Sequence, residues 1–262
     1  MRQKYAKMSE NRDNNTLLRQ YSERYFLAAG ECNPEGELPL PLLVTRVIGV
    51  ATGHANAWGV GYDRLIRDNQ GWVLSRVTVE MKRYPRVGEY YTLSTWIEGY
   101  NRHFSQRNMA LTADDGTVYG YVRTIWMVIN FATRESGDIS ALQYIAENVL
   151  TRPCPIEPQR ALRPFEAQAG VKHTFGYIDC DFNRHVNTVR YVDLLLDRFP
   201  LDFHDANSVK RLEVAFVKES RYDETADITL AETSPLDYRI DIAVDGAVHV
   251  KARLLFNPRL TT

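Results

Sequence analysis

The sequence predicts an α+β protein made of two copies of one unit, each a long helix wrapped by a curved antiparallel β-sheet. Three observations carry this. Each half has a helix candidate followed by four runs rich in β-branched and aromatic residues. The connections between those runs are short and hold Gly, Pro or Asp, which favours antiparallel neighbours. The second half also aligns with the first, without a gap, at an offset of 135 residues (Arg76 to Arg211).

The first helix candidate is "LPLPLLVTRVIGVATGHANAWGVG" (38–61), apolar on nearly every side and dotted with glycine, the pattern of a buried helix. Strand-like runs follow at 72–84, 90–100, 104–114 and 117–131. In the second half a helix is expected from Asn187 to Phe199, stopped by Pro200, with strands at 210–218, 225–233, 236–244 and 247–256. At the 135-residue offset, identical residues fall at Arg76/Arg211, Val79/Val214, Arg86/Arg221 and Glu89/Glu224. Between the halves, "ISALQYIAENVLTRPCPIEPQRALRP" reads as a short amphipathic helix and then an extended linker with Pro153, Pro155, Pro158 and Pro164. The resulting division is a first unit at 15–137, a linker at 138–165 and a second unit at 166–262.

Composition sets the outer bounds. The 262 residues are 44% hydrophobic and 25% charged, ordinary for a globular chain. With 32 basic and 33 acidic residues the net charge is −1, which offers nothing to nucleic acid or to an anionic membrane surface. No run reaches the roughly 18 apolar residues of a membrane span. The opening "MRQKYAKMSENRDNN" is polar and lacks the apolar core of a signal peptide. Cys32, Cys154 and Cys180 are odd in number and widely spaced, as expected of reduced thiols in a cytoplasmic protein. No CxxC or HExxH pairing occurs, so neither a metal nor another cofactor is expected.

The chemistry concentrates in "DCDFNRHVN", which begins at Cys180's neighbour Asp179. Asp181, Asn183 and His185 alternate and would share one face of an extended backbone, leaving Phe182 and Arg184 on the other. From Val186 the spacing becomes helical, and Asn187 is placed as an N-cap. A helix N-terminus favours negative charge, including the oxyanion formed when a carbonyl is attacked. A histidine near neutral pH and flanking carboxylates supply the base chemistry of ester or thioester hydrolysis. The same residues would equally serve as caps and turns.

The segment "IDCDFNRHVNTVRYVDLLLD" (178–197) resembles the D-x-N-x-H-V-N-N-V-x-Y signature of acyl-acyl carrier protein thioesterases. "WVLSRVTVEMKRYPRVGE" (72–89) is similar to that family's W-V-x-x-R segment ending in R-Y-P-x-x-G-D, and "TVYGYVRTIWMVINFATR" (117–134) to its stretch leading to V-W-V-M-M-N. The resemblance runs from about Tyr21 to about Asn257. It implies a tandem hot-dog fold, with the first copy shaping an acyl pocket and the second carrying the active site. Hydrolysis of fatty acyl-acyl carrier protein in fatty-acid synthesis is the implied activity. Carried over by motif, the catalytic residues are Asp181, Asn183, His185 and Glu219, the last from "VKESRYD" (217–223).

Two departures are informative. Ser220 stands where the family pattern often has cysteine, and Thr188 replaces the second Asn of V-N-N. Serine lacks a reactive thiolate, which favours attack by water over a thiol nucleophile. The first half has no D-x-N-x-H before its helix, and the offset puts Tyr84 opposite Glu219, so one active site is expected. "GELPLPLLV" (36–44) occupies the equivalent place and suits a fatty chain or simple packing. Competing readings are an acyl-CoA thioesterase, a hot-dog enoyl hydratase, whose D-x-N-x-x-H is one residue longer, and a non-catalytic acyl binder.

A carrier protein with an acidic surface would need a basic patch, for which Arg184, Arg190, Lys210, Arg211, Lys218 and Arg221 are candidates. A homodimer is optional, because two units in one chain already supply the usual pairing. Trp58, Trp72, Trp96 and Trp126 read as core, His54 as a structurally satisfied histidine, and His103, His173, His204 and His249 as histidines with no acid partner at a motif spacing.

Overall fold

The computed structural model of the chain describes residues 19–139, 143–167 and 170–259. The expected limits at residues 15 and 262, the polar opening stretch and part of the linker helix lie outside the described residues. The elements of the first half are β1 (Gln20–Phe26), α1 (Leu40–Ala57), α2 (Tyr62–Leu65), β2 (Gln70–Met81), β3 (Tyr90–Tyr100), β4 (Ser105–Ala113) and β5 (Val118–Asn130). After α3 (Gln143–Asn148), the second half runs β6 (Val171–Thr174), α4 (Thr188–Leu196), α5 (Leu201–Ala206), β7 (Asn207–Phe216), β8 (Thr225–Ser234), β9 (Asp237–Val244) and β10 (Ala247–Pro258). Every strand expected from the pattern forms. Two more, β1 and β6, close the outer edges of the sheet.

The strands make one ten-stranded sheet in the order β1-β3-β4-β5-β2-β7-β10-β9-β8-β6, with β2 and β7 joining the halves. In that ladder Arg76 faces Ala215, Thr78 faces Glu213 and Glu80 faces Arg211. Thr78 and Glu213 are the same position under the 135-residue offset, so the junction is centred on an equivalent pair. The sheet's irregularities obey the same offset. An extra residue bulges at Ser75 in β2 and at Lys210 in β7, and again at Glu98 in β3 and Thr233 in β8. Two of the four sequence identities are also explained, because the Glu89 and Glu224 carboxylates each accept a 2.9 Å bond from the backbone N–H of Arg86 and Arg221 and so close the same turn.

Helix α1 begins behind Pro39 with Pro41 in its first turn, where a missing N–H costs nothing. It ends at Trp58 because Gly59 takes a left-handed φ of 73°. Leu40, Leu43, Val44, Val47, Val50, Ala51, His54 and Ala55 form its buried stripe, while Thr45, Gly49, Thr52 and Asn56 are exposed. The expectation of a helix buried on all sides is therefore corrected: small residues fill the outer face and solvent covers it. In α4 the stripe is Tyr191, Val192 and Leu195, and the Asn187 side chain caps the helix by accepting the Val189 N–H at 2.9 Å. Both stripes press into one continuous core with Val77, Val79, Leu212 and Val214 of the central strands.

The linker is tied across the outer face of the sheet. Trp96 Nε1 donates to the Arg152 carbonyl at 2.7 Å, Arg123 donates to the carbonyls of Cys154 and Ile156, and Arg211 donates to that of Glu157. Of the four tryptophans only Trp96 is fully buried; Trp58, Trp72 and Trp126 lie half-buried at the margins of the core. Among the described residues no helix is long and apolar enough to cross a membrane.

Beneath the linker, Arg211 bonds Glu213 at 2.7 Å and Glu80 at 2.7 Å, with Glu213 almost wholly enclosed. Removing the arginine leaves buried Glu213 with only the longer contact to Arg253, at 3.7 Å. Arg211→Ala is expected to destabilise the fold by about 3–5 kcal/mol in urea unfolding; a change under about 1 kcal/mol would show that the carboxylates find other partners.

Candidate functional site

The segment from Cys180 to Val186 is a closed loop and not an extended strand, which corrects the shared-face reading of Asp181, Asn183 and His185. The Asp181 N–H donates to the His185 carbonyl at 2.8 Å and the Arg184 N–H to the Asp181 carbonyl at 3.0 Å. Arg184 takes a left-handed φ of 62°. The Asp181 carboxylate accepts the N–H groups of Asn183 at 2.8 Å and His185 at 3.4 Å, so it shapes the loop from within. Asp179 anchors the base: its carbonyl accepts the Asn187 N–H at 2.7 Å and its buried carboxylate accepts that of Gly176 at 2.7 Å. His173, which has no acid partner at a motif spacing, meets the Asp179 carboxylate through the fold at 3.3 Å.

Glu219 arrives from just beyond β7. The Val186 N–H donates to the Ser220 carbonyl at 2.8 Å, and His185 bridges to Arg221, so the loop is stitched to the segment after Glu219. This brings His185 Nε2 within 3.4 Å of Glu219 Oε2, a direct side-chain pairing between two of the four expected residues. Asn183 is exposed, and its side chain makes no hydrogen bond among the described residues. Asp181 acts on the others through backbone.

Arg134 was not foreseen. It lies after β5 in the first half and bonds the same Glu219 Oε2 that faces His185. The turn holding it is built by Asn130, whose side chain accepts the N–H groups of Ala132 and Thr133 while its carbonyl accepts that of Arg134. Arg134 itself has a φ of 63°. No local pattern marks such a residue, because its partner is 85 positions away.

Two other groups shape the surroundings. A groove of about 340 Å³ between α1 and α4 is lined by Pro41, Leu42, Thr45, Ile48, Asn187, Val189, Arg190 and Asp193. Around the loop stand exposed apolar side chains, Tyr177, Ile178, Phe182, Val217 and Tyr222, with Phe182 set edge-on against Tyr62 of the first half. The expected basic patch is smaller than foreseen. Arg211 is buried, Arg190 is paired with Asp193 at 2.8 Å, and Lys210 lies in the first half of β7, about 20 Å of strand before the end that leads to Glu219. Arg184, Lys218 and Arg221 remain exposed and without an ion pair among the described residues.

In the first half the equivalent place is a cavity of about 320 Å³ whose lining includes Glu37, Tyr84, Val209 and Arg259. Tyr84, opposite Glu219 by the offset, is buried and donates to the Val209 carbonyl at 2.7 Å, and burial pushes its hydroxyl far above the usual tyrosine range. Glu37 is buried against Arg259 at 2.9 Å. His54 is buried and contacts Arg107 at 2.8 Å, a satisfied core histidine as expected.

Comparison with known proteins agrees with this organisation. The acyl-ACP thioesterase N-terminal domain matches residues 19–144 and the acyl-ACP thioesterase C-terminal domain matches residues 164–258. Oleoyl-acyl carrier protein thioesterase 2, chloroplastic, of Arabidopsis thaliana is 26% identical over 239 residues, covering 81% of this chain and 63% of its own length. Oleoyl-acyl carrier protein thioesterase 1, chloroplastic, of the same plant is 23% identical over 82% of this chain and 65% of its own length. The chain thus spans a little under two thirds of these curated relatives. The crystal structure of an acyl-ACP thioesterase from Bacteroides thetaiotaomicron superposes with a TM-score of 0.86 at 28% identity, over 94% of this chain and all of that one. The 12:0-ACP thioesterase from Umbellularia californica superposes at 0.82 with 16% identity over 92% of this chain and 98% of that one, a likeness of fold. Two helix-on-sheet units in tandem, joined through β2 and β7, are the hot-dog arrangement, and this chain belongs to the acyl-ACP thioesterase family.

Proposed function

We propose that the protein hydrolyses the thioester of fatty acyl-acyl carrier protein, releasing free fatty acid during fatty-acid synthesis. The observation that carries this reading is the pairing of His185 with Glu219 at the mouth of the capped helix α4. His185, assisted by Glu219, takes a proton from water as the water oxygen attacks the thioester carbonyl carbon. The carbonyl oxygen gains negative charge, which Asn183 and the N-terminal N–H groups of α4 would stabilise, and the carrier's thiol leaves with a proton. Asp181 keeps Asn183 and His185 in place through their N–H groups. Ser220 is wholly buried, which supports water rather than this side chain as nucleophile.

The division of labour follows the two halves: residues 15–137 shape the acyl pocket, residues 138–165 link, and residues 166–262 carry the catalytic side chains. The groove between α1 and α4 supports this, since Pro41 and Leu42 of "GELPLPLLV" meet Asn187 and Val189 there. Three free cysteines support a cytoplasmic setting. A homodimer is not needed to complete the site, because both halves already contribute to it.

His185→Ala and Glu219→Ala should each lower kcat by about two powers of ten with the melting temperature preserved. Thiol release from acyl-carrier substrates and matched CoA esters of graded length gives the measurement, and near-normal turnover in a variant would remove that residue from the mechanism. Formation of a 3-hydroxyacyl product from an enoyl thioester would favour the hydratase instead.

Arg184, Lys218 and Arg221 lie on the rim, where charge affects encounter more than chemistry. Reversing Lys218 and Arg221 to Glu should raise KM for the acyl-carrier substrate several-fold while leaving kcat nearly unchanged, and added salt should mask the difference. Equal KM in parent and variant at low salt would place carrier docking elsewhere.

A further inference from the structure

We infer that His249 is a positioning residue of this site, holding Glu219 opposite His185 through its grip on Ser220. The inference rests on the thioesterase reading and assigns a role to a buried pair that the mechanism leaves unused.

Ser220 is fully enclosed and bonded at every polar atom. Its N–H donates to Tyr191 Oη at 3.1 Å, its carbonyl accepts the Val186 N–H at 2.8 Å, and its Oγ lies 2.8 Å from His249 Nδ1. Tyr191 belongs to α4, Val186 follows His185 directly, and His249 belongs to β10. One residue beside Glu219 therefore joins the catalytic helix, the catalytic loop and the sheet. His249 also holds the other flank, since its carbonyl accepts the N–H groups of Val217 at 2.8 Å and Lys218 at 3.1 Å.

His249 reaches Ser220 because it is a bulge. The β9–β10 register jumps from Val248/Ala243 to Val250/Ile242, which leaves His249 unpaired and free to turn inward. The first half has the same device at Tyr119, whose carbonyl accepts the N–H groups of Lys82 and Arg83, the offset equivalents of Val217 and Lys218. There the side chain goes to Glu89 and Arg83 instead. The bulge is common to both halves. The grip on the residue beside a catalytic carboxylate belongs to the second alone.

His249 is buried, its Nε2 has no partner among the described residues, and burial followed by the Lys218 charge pushes its pKa below the ordinary histidine value, against Glu224 and Asp245. The unfolded chain therefore takes up the proton first. Stability from the neutral ring is present above the ordinary value of about 6.5 and is lost as pH falls towards the lower folded value.

The test uses the full chain and a saturated acyl-carrier substrate. His249→Leu and Ser220→Ala should each lower kcat ten- to a hundredfold with KM within about twofold. Their double variant should be no worse than either alone, because both break one contact. His249→Asn, whose amide reaches the Nδ1 position, should recover most of kcat even if the leucine variant folds poorly, and its melting temperature should fall less than the parent's between pH 7 and pH 5. Tyr119→Phe, in the matching bulge, should leave kcat unchanged. Folded Ser220→Ala with kcat within twofold of the parent, multiplicative losses in the double variant, or an equal loss in Tyr119→Phe would overturn the inference. Absence of thiol release by the parent on any acyl thioester would instead overturn the thioesterase reading, and this inference with it.

Discussion

The antiparallel pairing of β2 with β7 is the constraint on which the rest of the molecule depends. Along these strands Val77, Val79, Leu212 and Val214 point into the core, while Glu80, Arg211 and Glu213 form an ion-paired cluster under the linker. A slip of one residue would exchange those faces and drive charge into the core. The register is therefore fixed from both sides. Centred on Thr78 and Glu213, it sets α1 beside α4 and brings the end of β5 close to the end of β7, where Arg134 meets Glu219.

Symmetry at the backbone level and asymmetry at the side-chain level together explain why the pairing of His185 with Glu219 has no counterpart at the same place in the first half. The bulges at Ser75 and Lys210, at Glu98 and Thr233, and at Tyr119 and His249 are paired across the halves. Each half also has an arginine beyond its last strand that reaches a carboxylate of the other: Arg134 to Glu219, and Arg259 to Glu37. Beside Glu37, the Tyr84 hydroxyl donates to the Val209 carbonyl, and these residues line a cavity with Arg259. Around Glu219 the offset partner of Tyr84 is the carboxylate itself, and His185 faces it.

The strands, α4 and its Asn187 cap were legible in the sequence because each depends on neighbours close in the chain. Length and turn chemistry were enough for the eight strands between turns. β6 has only four residues, and β1, "QYSERYF", mixes polar and aromatic side chains at an edge, so neither carried a clear period. The pairing of His185 with Glu219 was reachable only through the family motif. Arg134 and His249 were not reachable, because their roles come from a tight turn and from a register jump that bring distant segments together. The loop at Asp181 was misread for a related reason: its alternation suits a strand, but a carboxylate can bind the N–H groups two and four residues ahead and close the backbone instead.

This pattern bears on how the site divides its work. The Asp181 carboxylate is committed to the loop's own N–H groups, that of His185 included, and the Asp179 carboxylate to Gly176 and His173, so neither is paired with the His185 ring in the folded chain. Glu219 does face it, and is held by groups from both halves: Arg134 of the first half at its oxygen, and the segment around Ser220 of the second half at its backbone. The geometry of His185 and Glu219 therefore does not belong to the nine-residue motif alone. The motif supplies the histidine and the helix N-terminus, while the carboxylate opposite it is placed by the junction of two units. A second unit folded apart from the first would keep Asp181, Asn183 and His185 but would lose the arginine that meets Glu219, which gives the tandem arrangement a chemical reason beyond the sharing of a core.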